Sequence, residues 1–167
     1  MRKFIFGLAA FICVCQVSAA QAIVSLKGFR PNVKVELKRC VVSGSAGFID
    51  LMITNYSGEN FEPRAYSGMH DNSSISTLLY DDEGNVYKWY DGSLRVTFGG
   101  KTGIACEYTE IVAMLPNEVP VKLRIDIDNV SEYATEFLLL QIPFRNARTW
   151  GELGIVEIKH IPITRKD

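Results

Sequence analysis

The segment from Val121 to Asp128, VKLRIDID, alternates without a break. Val121, Leu123, Ile125 and Ile127 fall on one side, and Lys122, Arg124, Asp126 and Asp128 on the other. A period of two marks a β-strand with one dry and one wet face, the antiparallel situation. The pattern recurs from Asn32 to Lys38, where three aliphatics oppose charges. It recurs again in FIDLMIT, Phe48 to Thr54, which stops at the turn sequence NYSGEN. Further strands are expected at Ser74 to Tyr80, Val86 to Tyr90, Ser93 to Phe98, Ile104 to Leu115, Glu136 to Phe144 and Gly154 to Ile163. Pro116 and Pro120 bracket a turn. The run FLLLQI, Phe137 to Ile142, is apolar enough to lie buried on both faces. Val130 to Glu136 has room for one helical turn capped by Ser131. About nine short strands separated by turn residues predict an all-β, antiparallel sandwich in a single domain.

The first 22 residues break this pattern. Arg2 and Lys3 precede a run from Phe4 to Val17 that is almost wholly apolar, and small residues then follow, ending in Ala20-Gln21-Ala22. This reads as a secretory signal peptide cleaved after Ala22, with Ala19 or Ala20 as alternatives. The apolar run, about 14 residues, is shorter than the roughly 20 a membrane span needs. Bulky Ile12 and Val14 in front of Cys13 and Cys15 argue against a lipid anchor there. The expected organisation is a signal peptide over 1–22, a lead-in over 23–32, the sandwich over 33–163 and a basic tail over 164–167. The mature chain has no further apolar stretch long enough to span a membrane, and the expected location is periplasmic or extracellular.

Removing the signal changes the charge and the cysteine count. The whole chain has 18 basic and 19 acidic residues; without Arg2 and Lys3 the balance is 16 against 19, a net −3. The only basic runs are Lys38-Arg39 and Arg165-Lys166, so nothing here attracts nucleic acid. Of four cysteines, Cys40 and Cys106 remain. Two cysteines in an oxidising compartment predict one disulfide, which would stabilise the fold by roughly 4 kcal/mol in the chain-entropy account. The alternative is two separate thiols, each acting as a small hydrophobe.

The stretches LLYDDEGNVY, FGGK and MLPNEVPVKLRIDIDNVSEYATEFLLLQI resemble a family of uncharacterised exported bacterial proteins. These carry a single immunoglobulin-like β-sandwich with a D-x-x-G-N-x-Y hairpin and an L-P-x-x-V-P-V-K turn and strand. The resemblance covers Lys34 to Ile163. It implies a domain for binding or spacing at the bacterial envelope, with an envelope protein or glycan as partner, and it supplies no catalytic residues and no cofactor. The chain departs from antibody-type domains, because Trp89 lies 49 residues after Cys40 and Ile104 holds the tyrosine-corner position.

Few residue groupings suggest chemistry. Asp81-Asp82-Glu83-Gly84 is acidic, but counting from Asp81 the glycine arrives fourth and Gly92 occupies the twelfth position, so a calcium loop is not matched. The same residues suit a hairpin turn, in which Asp bonds its own backbone and Gly accepts positive φ. Asp126-Ile127-Asp128-Asn129 reads as a solvated strand end. His70-Asp71-Asn72-Ser73-Ser74 is polar, but adjacency does not make a catalytic triad, and His160 lies on a distant strand. SGSAG, from Ser43 to Gly47, lacks the first glycine of a nucleophile elbow. No C-x-x-C supports a zinc site. The sequons at Asn55, Asn72 and Asn129 have no meaning in a bacterial setting.

The aromatics offer the better lead. Tyr87 and Trp89 share one strand face, Tyr90 with Lys88 takes the other, and Tyr80 lies across the hairpin. Exposed rings make a platform for a ligand; buried rings plug the core. The candidate ligand-binding set is Tyr80, Trp89 and Tyr90, with Trp89 the natural core plug and the two tyrosines the surface candidates. The expected function is non-enzymatic binding, against the alternatives of a hydrolase, a hydrolase inhibitor or a purely structural envelope protein.

Overall fold

The computed structural model describes residues 22–28, 32–68, 76–106, 109–149 and 151–166, and among these there are strands, turns and no helix. The strands are β1 (Ile23–Lys27), β2 (Val33–Ser43), β3 (Ala46–Asn55), β4 (Pro63–Tyr66), β5 (Leu78–Asp81), β6 (Val86–Lys88) and β7 (Leu94–Phe98). They continue as β8 (Lys101–Thr102), β9 (Glu110–Val112), β10 (Pro120–Ile127), β11 (Glu136–Asn146), β12 (Glu152–Pro162) and β13 (Thr164–Lys166). One sheet runs β1-β12-β11-β4-β9, and β5 also pairs with β11 and carries β6 beside it. The other runs β13-β2-β3-β10-β7-β8. All pairings are antiparallel except the parallel contact of β13 with β2.

The alternation in the sequence dictates how the sheets face each other. On β10, Leu123, Ile125 and Ile127 are fully enclosed while Lys122, and Asp128 just past the strand, meet solvent. Ile49, Leu51 and Ile53 of β3 join them from the same sheet. Phe137, Leu140, Ile142 and Phe144 of β11 and Val156 and Ile158 of β12 close the core from the other sheet. Burying each such aliphatic contributes about 1.5–3 kcal/mol. The chain is a β-sandwich with one continuous core between its two sheets.

Several expectations change in detail. The lead-in forms β1, which pairs with β12 from Ile23↔Lys159 to Lys27↔Ile155, and the basic tail forms β13 on β2. Phe137 to Ile142 is not buried on both faces. A register shift between Phe137 and Leu139 turns Leu138 outward, to 40% exposure, and Gln141 lies half-exposed on the outer face. Ile104 to Leu115 is not one strand: Ile104 is exposed, β9 spans three residues, and Leu115 forms an isolated bridge to Phe61. Ser131 caps a turn rather than a helix, accepting a 3.2 Å bond at its Oγ from the Tyr133 amide. Residues 1–21 of the expected signal peptide and the His70–Ser74 group lie outside the described residues.

β11 positions everything that follows. Its N-terminal half pairs with β5, through Leu139↔Tyr80 and Gln141↔Leu78, and its C-terminal end pairs with β4, through Phe144↔Ala65 and Arg145↔Arg64. Two separate places on the outer face of this sheet are therefore built on one strand.

Candidate functional site

The β5–β6 hairpin is organised by one carboxylate. Asp81 is fully buried. Its Oδ1 accepts the backbone N–H of Glu83 at 3.1 Å and of Asn85 at 2.8 Å. Its Oδ2 accepts the Asn85 side-chain amide at 2.9 Å and the Tyr87 hydroxyl at 2.8 Å. Gly84 supplies the positive φ, 86°, that lets the chain turn. The D-x-x-G-N-x-Y pattern is thus one hydrogen-bonded unit, and each Asp81 oxygen is already occupied by two donors from its own turn. Asp82 ties the turn to the next loop by accepting the Thr135 amide at 3.0 Å and its hydroxyl at 2.5 Å. These bonds hold the Asp82 carboxyl below its ordinary range against the opposing effect of its partial burial.

Pairing Leu79↔Tyr87 and Tyr80↔Val86 divides the hairpin into an inner and an outer face. Tyr87 and Trp89 point into the core and are buried, and Tyr87 meets Phe137 edge-on at 6.1 Å. Burial, reinforced by the bond to Asp81, pushes the Tyr87 phenol up to about 12. Trp89 is enclosed completely, as expected of a core plug, so it drops out of the candidate ligand-binding set. Its indole cannot reach a ligand without unfolding the hairpin.

Tyr80 and Tyr90 remain half-exposed, and Lys88 lies on the same face of the hairpin as Tyr80 and two residues before Tyr90. The Lys88 ammonium sits 5.5 Å from the centre of the Tyr90 ring. Hydrogen bonding to Tyr90 raises the Lys88 ammonium above its ordinary value despite a small opposing cost of burial, and Tyr90, Asp91 and Tyr80 add to the rise electrostatically. The outer surface of the hairpin therefore holds two rings and one fixed cation.

The expected Cys40–Cys106 bridge is not formed; both thiols are free. Cys40 lies buried on β2, and burial pushes its thiol up to about 12. Cys106 is exposed in the loop after β8, its sulfur 2.5 Å from the Thr109 hydroxyl. β2 and β8 are four strand positions apart in the same sheet. That puts the strand preceding the Cys106 loop about 19 Å from β2 at the usual strand spacing, against the roughly 7 Å Cα separation a disulfide tolerates.

The other polar candidates stand beside partners of their own. Asp126 accepts Arg124 at 2.7 Å, Asp128 stands 3.9 Å from Arg95, and His160 stands 3.5 Å from Glu136. Asp50, buried on the outer face of β3, is met by Arg39 at 2.7 Å and Lys122 at 3.0 Å. Burial alone would raise this carboxyl, but those two cations outweigh it and hold it below its ordinary range. Among the described residues no three His, Cys, Asp or Glu side chains gather as a metal site.

A second place on the outer face was not expected from the sequence. A cleft of about 80 Å³ is lined by Tyr66 of β4, Pro143 and Arg145 of β11, and Glu152, Gly154 and Ile155 of β12. Its only sequence signals are a proline inside a long strand run and an arginine ending it, neither of which identifies a pocket without the pairing.

No family model matches the chain, and no curated protein matches it in sequence.

Proposed function

We propose that this chain is an exported, non-enzymatic binding or accessory domain of a bacterial envelope, engaging an envelope protein or glycan through the outer face of the β5–β6 hairpin. The observation that carries the reading is that half-exposed Tyr80 and Tyr90 share the outer side of the hairpin with Lys88, whose ammonium stands 5.5 Å from the Tyr90 ring centre. The hairpin beneath them is rigid, because Asp81 and Tyr87 lock its turn and Trp89 anchors it in the core. Rigid aromatics provide large contact area at low entropic cost, and their faces suit the C–H surface of a sugar or an apolar side chain. Lys88 adds a fixed positive charge, which favours an acidic partner.

Chemical protection tests the reading. Tyr80 and Tyr90 should be nitrated readily in the free protein and protected when a solubilised bacterial envelope fraction is added, while exposed Tyr133 is nitrated equally in both. Equal labelling of all three tyrosines with and without the fraction would remove the hairpin as the contact surface.

A further inference from the structure

We propose that the cleft between β4, β11 and β12 binds a carboxylate flanked by an N–H donor and a short apolar side chain, the chemistry of a free amino acid or of a peptide's C-terminal residue. The sheet is deformed at this place. The β11–β12 register shifts between Phe144 and Arg145, and Gly154, opposite Phe144, has a φ of 135°. Bulges re-aim side chains, and a glycine inside a strand opens space that any side chain would fill. Together they leave a hollow in an otherwise regular surface.

The hollow is chemically uneven. The Arg145 guanidinium lies over the Tyr66 ring, 4.3 Å from its centre, and its Nη2 makes only a long 3.4 Å bond to the Tyr66 hydroxyl. Its Nε is buried without a hydrogen-bond partner. Among the described residues no carboxylate stands within ion-pair distance of Arg145, although Glu152 is its cross-strand neighbour. Neighbouring Arg64, by contrast, is paired with Glu110 and bonded to the Ala147 carbonyl. An arginine held in place by an aromatic ring and left without an anion suits a carboxylate.

Glu152, directly across the strand pair from Arg145, would repel a plain anion. It is satisfied by a ligand that turns an amide N–H or an ammonium toward it while the carboxylate meets Arg145. Pro143 and Ile155, paired with each other beside the Arg145–Glu152 pair, and the Tyr66 side chain supply the apolar part of the lining. The volume, about 80 Å³, is far below the roughly 300–1,000 Å³ of pockets for larger ligands. One small residue fits; an extended side chain does not.

The site lies apart from the hairpin. Arg145 and Leu139, the β11 partner of Tyr80, are six residues apart on one strand, about 20 Å at the usual rise.

Calorimetric titration of the full chain tests the proposal with five probes: free L-alanine, N-acetyl-L-alanine, an acetylated tetrapeptide ending in alanine with a free carboxyl, its C-terminal amide, and propionate. The carboxylate probes with an N–H donor should bind, and the amide and propionate should bind at least about tenfold more weakly. Tight binding of free alanine alone assigns the free amino acid as the source; binding of the acetylated probes assigns a chain end. Arg145→Gln should weaken binding by about tenfold or more, and Ile155→Trp, which fills the hollow while sparing the charges, should abolish it. Tyr80→Ala with Tyr90→Ala should leave it unchanged. Equal binding of acid and amide, unaltered affinity in folded Arg145→Gln and Ile155→Trp, or no binding of any probe would overturn the proposal.

Discussion

The Tyr87 hydroxyl donates a 2.8 Å hydrogen bond to Asp81 Oδ2, and both residues are buried. The pair joins the turn of the β5–β6 hairpin to the core, so the two cannot be altered independently. Asp81→Ala removes the acceptor for four donors and should cost about 3 kcal/mol. Tyr87→Phe, which deletes only the hydroxyl, should cost about 1–2 kcal/mol. The double variant should show a coupling of at least about 0.5 kcal/mol in urea denaturation; simple additivity would mean that the bond contributes nothing.

Trp89 and Tyr90 are adjacent in sequence but opposite in role. Trp89→Ala empties a fully enclosed site and should destabilise the protein by about 3–5 kcal/mol. Tyr90→Ala, at a half-exposed position, should cost about 0.5 kcal/mol. Gly103→Ala tests the packing from the other side, since an added Cβ would stand 2.3 Å from Trp89 Cζ2. That overlap should cost about 1–3 kcal/mol. Thermal melts of the three variants decide the matter, and a Tyr90→Ala loss as large as that of Trp89→Ala would place Tyr90 in the core.

The alkaline limb of stability follows from two buried acids. Tyr87 and Cys40 keep their protons in the fold up to about 12, against ordinary values of 10.0 and 9.0. The unfolded chain releases these protons first, so their contribution is complete below the ordinary values and is lost as pH rises toward 12. Urea midpoints should therefore fall between about pH 9 and about pH 11, and Cys40→Ala with Tyr87→Phe should flatten that fall. A midpoint equally pH-dependent in the double variant would assign the effect elsewhere.

The two cysteines give a second, independent measurement. Exposed Cys106 should react with a thiol reagent in the native protein, and Cys40 only after unfolding. Cys106→Ser should leave the melting temperature within about 1 °C, because no cross-link is lost. A drop of several degrees, or a native protein with no reactive thiol, would restore the bridge.

The strands were legible wherever alternation is strict. Leu123, Ile125 and Ile127 face inward as their period requires, and Ile49, Leu51 and Ile53 do the same. Local pattern also identified the Asp81 turn, because Asx and glycine chemistry acts over four or five residues. What escaped depends on partners distant in sequence. β1 and β13 look like tails until β12 and β2 supply their pairing. The outward turn of Leu138 and the hollow beside Arg145 both arise from register shifts on β11, which no single-strand pattern records. The disulfide expectation failed for the same reason. Counting cysteines predicts a bond, but only topology separates β2 from β8 by the width of a sheet.

The central claim is that the hairpin's outer face is a binding surface, and a paired isotherm tests it most directly. Cosedimentation of the wild-type protein and the Tyr80→Ala/Tyr90→Ala variant with an insoluble bacterial envelope fraction should give saturable binding of the wild type. The variant should bind about tenfold or more weakly at an equal melting temperature, as expected for two lost aromatic contacts. Identical isotherms for the two proteins, or no sedimentation of either, would contradict it.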